Sequence, residues 1–147
     1  IRQAPDGPAE ALAIAREHRA SRSPLPGFGH HLHKPDDPRA IKLLALAEAE
    51  SELSGESVQA LRWLASAIDE TYGKHITINA TGAVAALLSE IGVPTDLMRG
   101  FAVISRAAGL GAHIVEEQQS PSGRFIWDTV EHAIPFVGGS AGEGRDA

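Results

Sequence analysis

The stretch PLPGFGHHLHKPDDPRA, residues 24–40, places three histidines (His30, His31, His33) within four positions. A Gly-x-Gly turn precedes them, and Lys34, Asp36, Asp37 and Arg39 follow. Imidazoles can ligate a metal, carry a proton or polarise a carbonyl, and the neighbouring lysine and arginine are suited to anions. A zinc-type site is disfavoured by geometry. Neighbouring imidazoles do not turn easily toward one ion, and no cysteine or matching His-x-x-x-His partner follows. A phosphate loop is disfavoured too, because the G-x-x-x-x-G-K-[ST] pattern and a preceding strand are both missing. A histidine kept for structure, or one presented to a small anionic ligand, remains.

Charge points the same way without deciding it. The chain has 147 residues and a net charge of −6, which argues against general nucleic-acid binding. Residues 11–42 nevertheless carry six Lys/Arg against three acids, a local balance of +3, while the remainder balances to −9. Such a positive patch suits a small anion, or it is a solvated basic helix face.

A second group lies in RAAGLGAH, residues 106–113. Arg106 and His113 are seven positions apart, about two helical turns, and so share a face. An arginine on an apolar helix either extends to solvent or faces an anion. Between them Ala107, Ala108, Gly109, Gly111 and Ala112 form a run of small residues. Each glycine costs roughly 1 kcal/mol there relative to alanine, so close approach of a backbone or ligand is the expected compensation.

The elements that must position these residues all read as helices. PAEALAIAREHRA (8–20) is rich in Ala, Glu and Arg and ends at the Ser, Pro and Gly of SRSPLPGFG. Asp37 is a favourable N-cap with Pro38 at the first helical position, and Ile41, Leu44 and Ala45 follow helical spacing. Val58, Leu61, Leu64, Ala65 and Ile68 mark one face of a third helix with Gly73 at its end. HITIN (75–79) is β-branched but lacks an evident partner strand, so it reads as an extended approach to the helix TGAVAALLSEIG. A long helix capped by Thr95 runs to about Gln118, a short one lies around WDTVEHAI, and 137–147 reads as a disordered tail. The fold class is all-α. With 43% apolar residues the length suits one domain with a core. No apolar run approaches the ~18 residues of a membrane span. The lack of cysteine fits an intracellular, cytoplasmic protein.

Taken together, the motifs resemble those of the citrate synthase family, including its citryl-CoA lyase relatives. PGFGHHLHKPDDPRA is similar to the family's Gly-x-Gly-His…Asp-Pro-Arg pattern, with the same spacing from His30 to Arg39. NATGAVAALL resembles its Asn-Val-Asp-Gly helix start, and ISRAAGLGAHIVEEQ its Arg-Thr/Ser-x-Gly-x-x-x-His helix. FIWDTVEHAIPF resembles the closing segment of the lyase branch. The resemblance covers roughly residues 8–136 and implies a citrate-synthase-like fold. Small-domain helices would occupy about 8–78, with returning large-domain helices over about 79–136.

The resemblance also implies roles. His30 matches the histidine that hydrogen-bonds the carbonyl of the four-carbon acid as negative charge develops. Arg39 and Arg106 match carboxylate-binding arginines, Lys34 a position that meets coenzyme A phosphates, and Arg124 an arginine lent across a dimer interface. The implied ligands are an acyl-CoA co-substrate and a citrate- or oxaloacetate-like carboxylate. A homodimer is implied, and no metal, nucleic acid or membrane.

Two departures qualify this. The family's other histidine, in a His-Gly-Gly loop, has no counterpart upstream of GFGH, so the chain reads as a C-terminal portion that exposes apolar surface. Thr81 stands at the family's catalytic aspartate. A threonine hydroxyl is no general base near neutral pH, where such a base contributes ~10²–10⁴-fold, and as an alternative Thr81 simply N-caps its helix. The rival expectation is a catalytically silent CoA- or carboxylate-binding module.

Overall fold

The computed structural model describes residues 4–134, and among them every regular element is a helix. These are α1 (Pro8–Ser21), α2 (Pro38–Ala49), α3 (Glu56–Tyr72), α4 (Ala80–Glu90), α5 (Thr95–Gln119) and α6 (Gly123–Ala133). None of the described helices is long and apolar enough to cross a membrane. The tail expected over 137–147 lies outside the described residues.

The chain divides into two compact units, residues 1–101 and 102–147. In the first, α3 packs against α1 and α4, and α4 also packs against α2. The boundary expected near residue 79 refers to the parent fold; in this chain the compact unit includes α4 and runs on to Phe101. Val58, Leu61, Leu64 and Ile68 of α3 are buried, and Ala11 and Ala15 of α1 are fully buried against the same core. Alanines at an i, i+4 spacing let α1 lie close to α3.

Of the three residues at helical spacing in α2, Leu44 is buried and the other two are not. Ala40, Leu44 and Ala47 point inward, while Ile41 is 57% exposed and Ala45 faces solvent. Spacing alone allows either face to be the inner one. Tertiary links to Asp37, described below, set the rotation of the helix.

Helix ends follow local chemistry. Asp37 caps α2 through the Arg39 N–H, with Pro38 at the first position. Gly73 ends α3 in the left-handed region, its N–H bonded to the Asp69 carbonyl. The N-terminus of α3 is capped from another element. Glu90, at the end of α4, accepts from the Ser54 hydroxyl and from the N–H groups of Gly55, Ser57 and Val58. Burial pushes its carboxyl up, but these donors prevail and hold it below the ordinary range.

The second unit contains the rest of α5 and α6. Glu117 accepts from Ser122 N–H, Ser122 hydroxyl and Gly123 N–H at the start of α6, a second case of a glutamate on one helix capping another. Large apolar side chains here face solvent, among them Ile104, Phe125 and Trp127, each at least 70% exposed. The close neighbour expected at Gly109 and Gly111 is not supplied by the described residues: a Cβ at either would meet nothing within 4 Å.

Candidate active site

The loop that delivers His30 is anchored from below. Gly27 (φ +89°) and Gly29 (φ +78°) flank Phe28, whose ring enters the core. Both glycines adopt backbone angles that a side chain would strain. The HITIN segment has a partner after all. Phe28 and Ile78 form an antiparallel bridge, with Gly29 N–H to Thr77 carbonyl at 2.8 Å and Asn79 N–H to Gly27 carbonyl at 3.0 Å. The partner is the glycine turn itself, too short and irregular to read as a strand.

α4 then seats on this turn. Asn79 caps α4 by accepting the Gly82 N–H at 3.1 Å, and its side-chain amide donates to the Gly29 carbonyl at 3.0 Å. The alternative that Thr81 caps the helix is therefore overturned, because Asn79 occupies that position and Thr81 is the second helical residue. Gly82 approaches the Gly27 backbone so closely that a Cβ there would lie 2.5 Å from the Gly27 carbonyl oxygen. The Asn-x-x-Gly spacing is thus a lock between α4 and the GFGH turn.

Asp37 joins three parts of the site. Its carboxylate is completely buried. One oxygen accepts the Arg39 N–H and Nε–H, both at 3.0 Å. The other accepts Arg39 Nη2 at 2.8 Å and the Ala80 N–H at 3.1 Å, at the start of α4. Its own N–H donates to the Thr77 hydroxyl at 3.0 Å. The Arg39 guanidinium, with these backbone donors and against the opposing effect of burial, holds the Asp37 carboxyl well below the usual range. Arg39 is correspondingly raised by the Asp37 carboxylate. Sequence reading identified Asp37 as a cap. Its reach to Ala80, 43 residues away, had no local signal.

With Asp37 holding one edge of the guanidinium, Arg39 brings Nη2 to 3.2 Å from His30 Nε2. On the other side of the ring, His30 Nδ1 faces the N–H groups of Leu32 and His33, both at 3.1 Å. Two N–H donors require a lone pair on Nδ1, which places the proton of a neutral imidazole on Nε2. Nε2–H and the guanidinium are then both donors at close range, an arrangement that favours a shared oxygen acceptor such as a carboxylate or carbonyl. Partial burial lowers the His30 pKa, as do the adjacent His33, His31 and Arg39, against the opposing effect of Asp37.

The spacing of ligand-type atoms is compatible with a metal, since one atom each from His30, His33 and Asp37 lies within 4.8 Å of the others. The donor set does not fit one. Both Asp37 oxygens and His30 Nδ1 already accept N–H groups, and a guanidinium stands at His30 Nε2.

The remaining candidates are placed as follows. Lys34 and His31 are exposed in the same loop. Thr81 is exposed and borders a cavity of about 210 Å³. Gly27, Leu61, Leu64, Ala85 and Met98 also line it. In the second unit Arg106 is exposed on α5, and Arg124, exposed on α6, has its Nε 3.8 Å from Asp128. Beside the His30 loop, His75 lies between Asp69 (2.7 Å) and Asp36 (3.1 Å), tying the loop to the end of α3. Sequence reading missed this link, for Asp36 lies 39 residues from His75 along the chain.

Comparison with known proteins gives a consistent picture. Residues 3–127 match the family model described as citrate synthase, C-terminal domain. The citrate synthase of Haloferax volcanii is 35% identical over 97 residues, covering 63% of this chain and 24% of that protein. Citrate synthase 2 of Bacillus subtilis is 30% identical over 113 residues, covering 74% of this chain and 29% of that protein. Among solved structures, the citryl-CoA lyase of Hydrogenobacter thermophilus superposes with a TM-score of 0.73 at 31% identity. The match covers 93% of this chain and 52% of that one.

Proposed function

The chain belongs to the citrate synthase family, and from that premise we propose that the intact protein makes or breaks a carbon–carbon bond in a citrate-like acyl-CoA. Candidate reactions are cleavage of citryl-CoA and condensation of acetyl-CoA with oxaloacetate. The chain spans about a quarter of the length of the curated relatives it matches. The activity proposed is that of the whole protein; this chain alone is expected to be inactive.

The observation that carries the reading is the pair of donors at His30 Nε2 and Arg39 Nη2, 3.2 Å apart, with Nδ1 committed to two backbone N–H groups. A neutral imidazole there donates to the substrate carbonyl oxygen as negative charge develops, without transferring its proton outright. Arg39, its orientation held by Asp37, offers the rest of its guanidinium to a carboxylate. Arg106 is assigned to a second carboxylate, Lys34 to a coenzyme A phosphate, and Arg124 to a site completed by a second copy in a homodimer. Coenzyme A enters as the thioester co-substrate.

A second reading has its own support, the hydroxyl at position 81. Making a thioester enolate requires a base at the methyl carbon, and the reverse cleavage requires an acid there. Thr81 supplies neither near neutral pH. A silent CoA- or carboxylate-binding module of the same fold is therefore the alternative. The test is turnover by the intact protein, read as free thiol from acetyl-CoA plus oxaloacetate or as acetyl-CoA from citryl-CoA. Turnover that disappears in Arg39→Ala supports the enzyme. If there is no turnover, and none is gained in Thr81→Asp, while citrate or coenzyme A still raises the melting temperature, the module is favoured. Failure of both ligands to shift melting would remove the ligand site altogether.

A further inference from the structure

The reading of the site leaves His31 and His33 without a task, yet the structure places both rings on His30. The His30 and His31 ring centroids are 4.7 Å apart with planes 19° from parallel. His33 lies 4.5 Å from His30 at an interplanar angle of 31°. Three histidines within four loop positions would ordinarily spread into solvent. Here the chain turns so that Leu32 and His33 direct their N–H groups at His30 Nδ1, and that turn draws the rings together.

We propose that His31 and His33 are positioning residues for His30, their packed rings and the two backbone N–H groups together keeping it a neutral imidazole with its proton on Nε2. The proposal rests on His30 being the carbonyl donor, and it assigns that donor a fixed tautomer and charge. Three steps support it. The backbone donors at Nδ1 exclude the alternative neutral tautomer. Protonating His30 would make Nδ1 a donor and set it against both N–H groups. A cationic His30 would also lie against the Arg39 guanidinium and two further rings able to take up protons.

The charged and titratable groups acting on His30 are His31 and His33 in its own loop, with Asp37 and Arg39 at the start of α2. Asp37 alone favours the cation, and its carboxylate is directed at Arg39. Burial, His33, His31 and Arg39 act in the opposite sense, and the net effect is downward. A neutral donor has a mechanistic consequence. An imidazolium would hydrogen-bond more strongly in the ground state and could pass its proton to the carbonyl oxygen. The neutral ring stabilises the developing charge by hydrogen bonding while retaining its proton.

The test is a pH titration of the histidine ring nitrogens by two-dimensional ¹H–¹⁵N NMR on the full chain. Wild type is compared with His33→Phe, His31→Phe and the double variant; phenylalanine retains a ring but cannot be charged. The expected wild-type result is an Nε2–H tautomer at His30 and a midpoint below the ordinary histidine value. That midpoint should rise in each variant, more for His33→Phe than for His31→Phe, with the tautomer unchanged because the backbone donors remain. An Nδ1–H tautomer in wild type, or an unmoved midpoint in the double variant, overturns the proposal. If the variants do not fold, the wild-type tautomer and midpoint still decide. Adding citrate to the same samples separates the two levels. Signals that titrate as expected but ignore citrate retain the ring assembly and refute the carboxylate reading. Signals that respond to citrate without the expected titration do the reverse.

Discussion

Gly82 and Gly109 both sit among alanines and leucines in apolar helices, but their surroundings are opposite. A Cβ added at Gly82 would meet the Gly27 carbonyl oxygen at 2.5 Å, whereas one added at Gly109 meets nothing within 4 Å. The same contrast holds for the units that contain them. In the first, small residues bring backbones together: the GFGH turn onto α4, and α1 onto α3 through Ala11 and Ala15. In the second, the described part of α5 and α6 has caps and ion pairs but no buried residue. A glycine in an apolar helix is therefore a sign of close packing only when the packing partner lies in the same compact unit. The first unit encloses its small residues; the second presents them.

This contrast yields four measurements, beginning with the largest effect. Gly82→Ala pushes a methyl into backbone that cannot swing aside, and urea unfolding should show a loss of about 3 kcal/mol, the upper end for overpacking. A loss under about 1 kcal/mol would mean that the turn yields and the lock is loose. Glu90→Ala removes acceptors from three N–H groups at the start of α3 and should cost about 1–2 kcal/mol in the same assay. In wild type this contribution is full above the ordinary carboxyl range, because the folded value is lowered, and it fades as pH falls through that value.

Gly109→Ala should act in the other direction. On an open helix face it gains helix propensity, raising stability by up to about 1 kcal/mol. Destabilisation by this change would show that something covers the stripe in solution and would erase the contrast with Gly82. The smallest effect belongs to His75. Its hydrogen bonds to Asp69 and Asp36, against the effect of burial, raise it above the ordinary 6.5. Its stabilising contribution is thus complete below about that value and is lost as pH rises through the higher folded value. The stability difference between wild type and His75→Gln should shrink toward alkaline pH. A difference independent of pH would sink the ionic account of this link and leave only its neutral hydrogen bonds.

The limits of reading the chain follow from the same geometry. Helix positions were legible because capping is local: Asp37 with Pro38, and Gly73 at the end of α3, announce themselves within a few residues. The inward face of α2 was not, since Ala40, Leu44 and Ala47 compete with a more hydrophobic set that includes Ile41. Residue type alone leaves a cap open as the alternative role of Thr81, and only the turn at Gly27 and Gly29 makes Asn79 the residue that fits. His31 and His33 gave no hint of their relation to His30, as ring packing depends on the path of the loop between them.

The sequence by itself determined the helical order, the family resemblance and the identity of the chemically able residues, because these depend on residue type and on spacing within a few turns. Tertiary structure decided which of them cooperate. Asp37 reaches Ala80, Asn79 reaches Gly29 and Gly82 touches Gly27 across 43 to 55 positions of chain. Such contacts depend on burial and backbone approach, which no local pattern encodes. The protonation of His30 belongs to the second group. Its residue type permits several states, and the N–H groups, rings and guanidinium folded around it favour one.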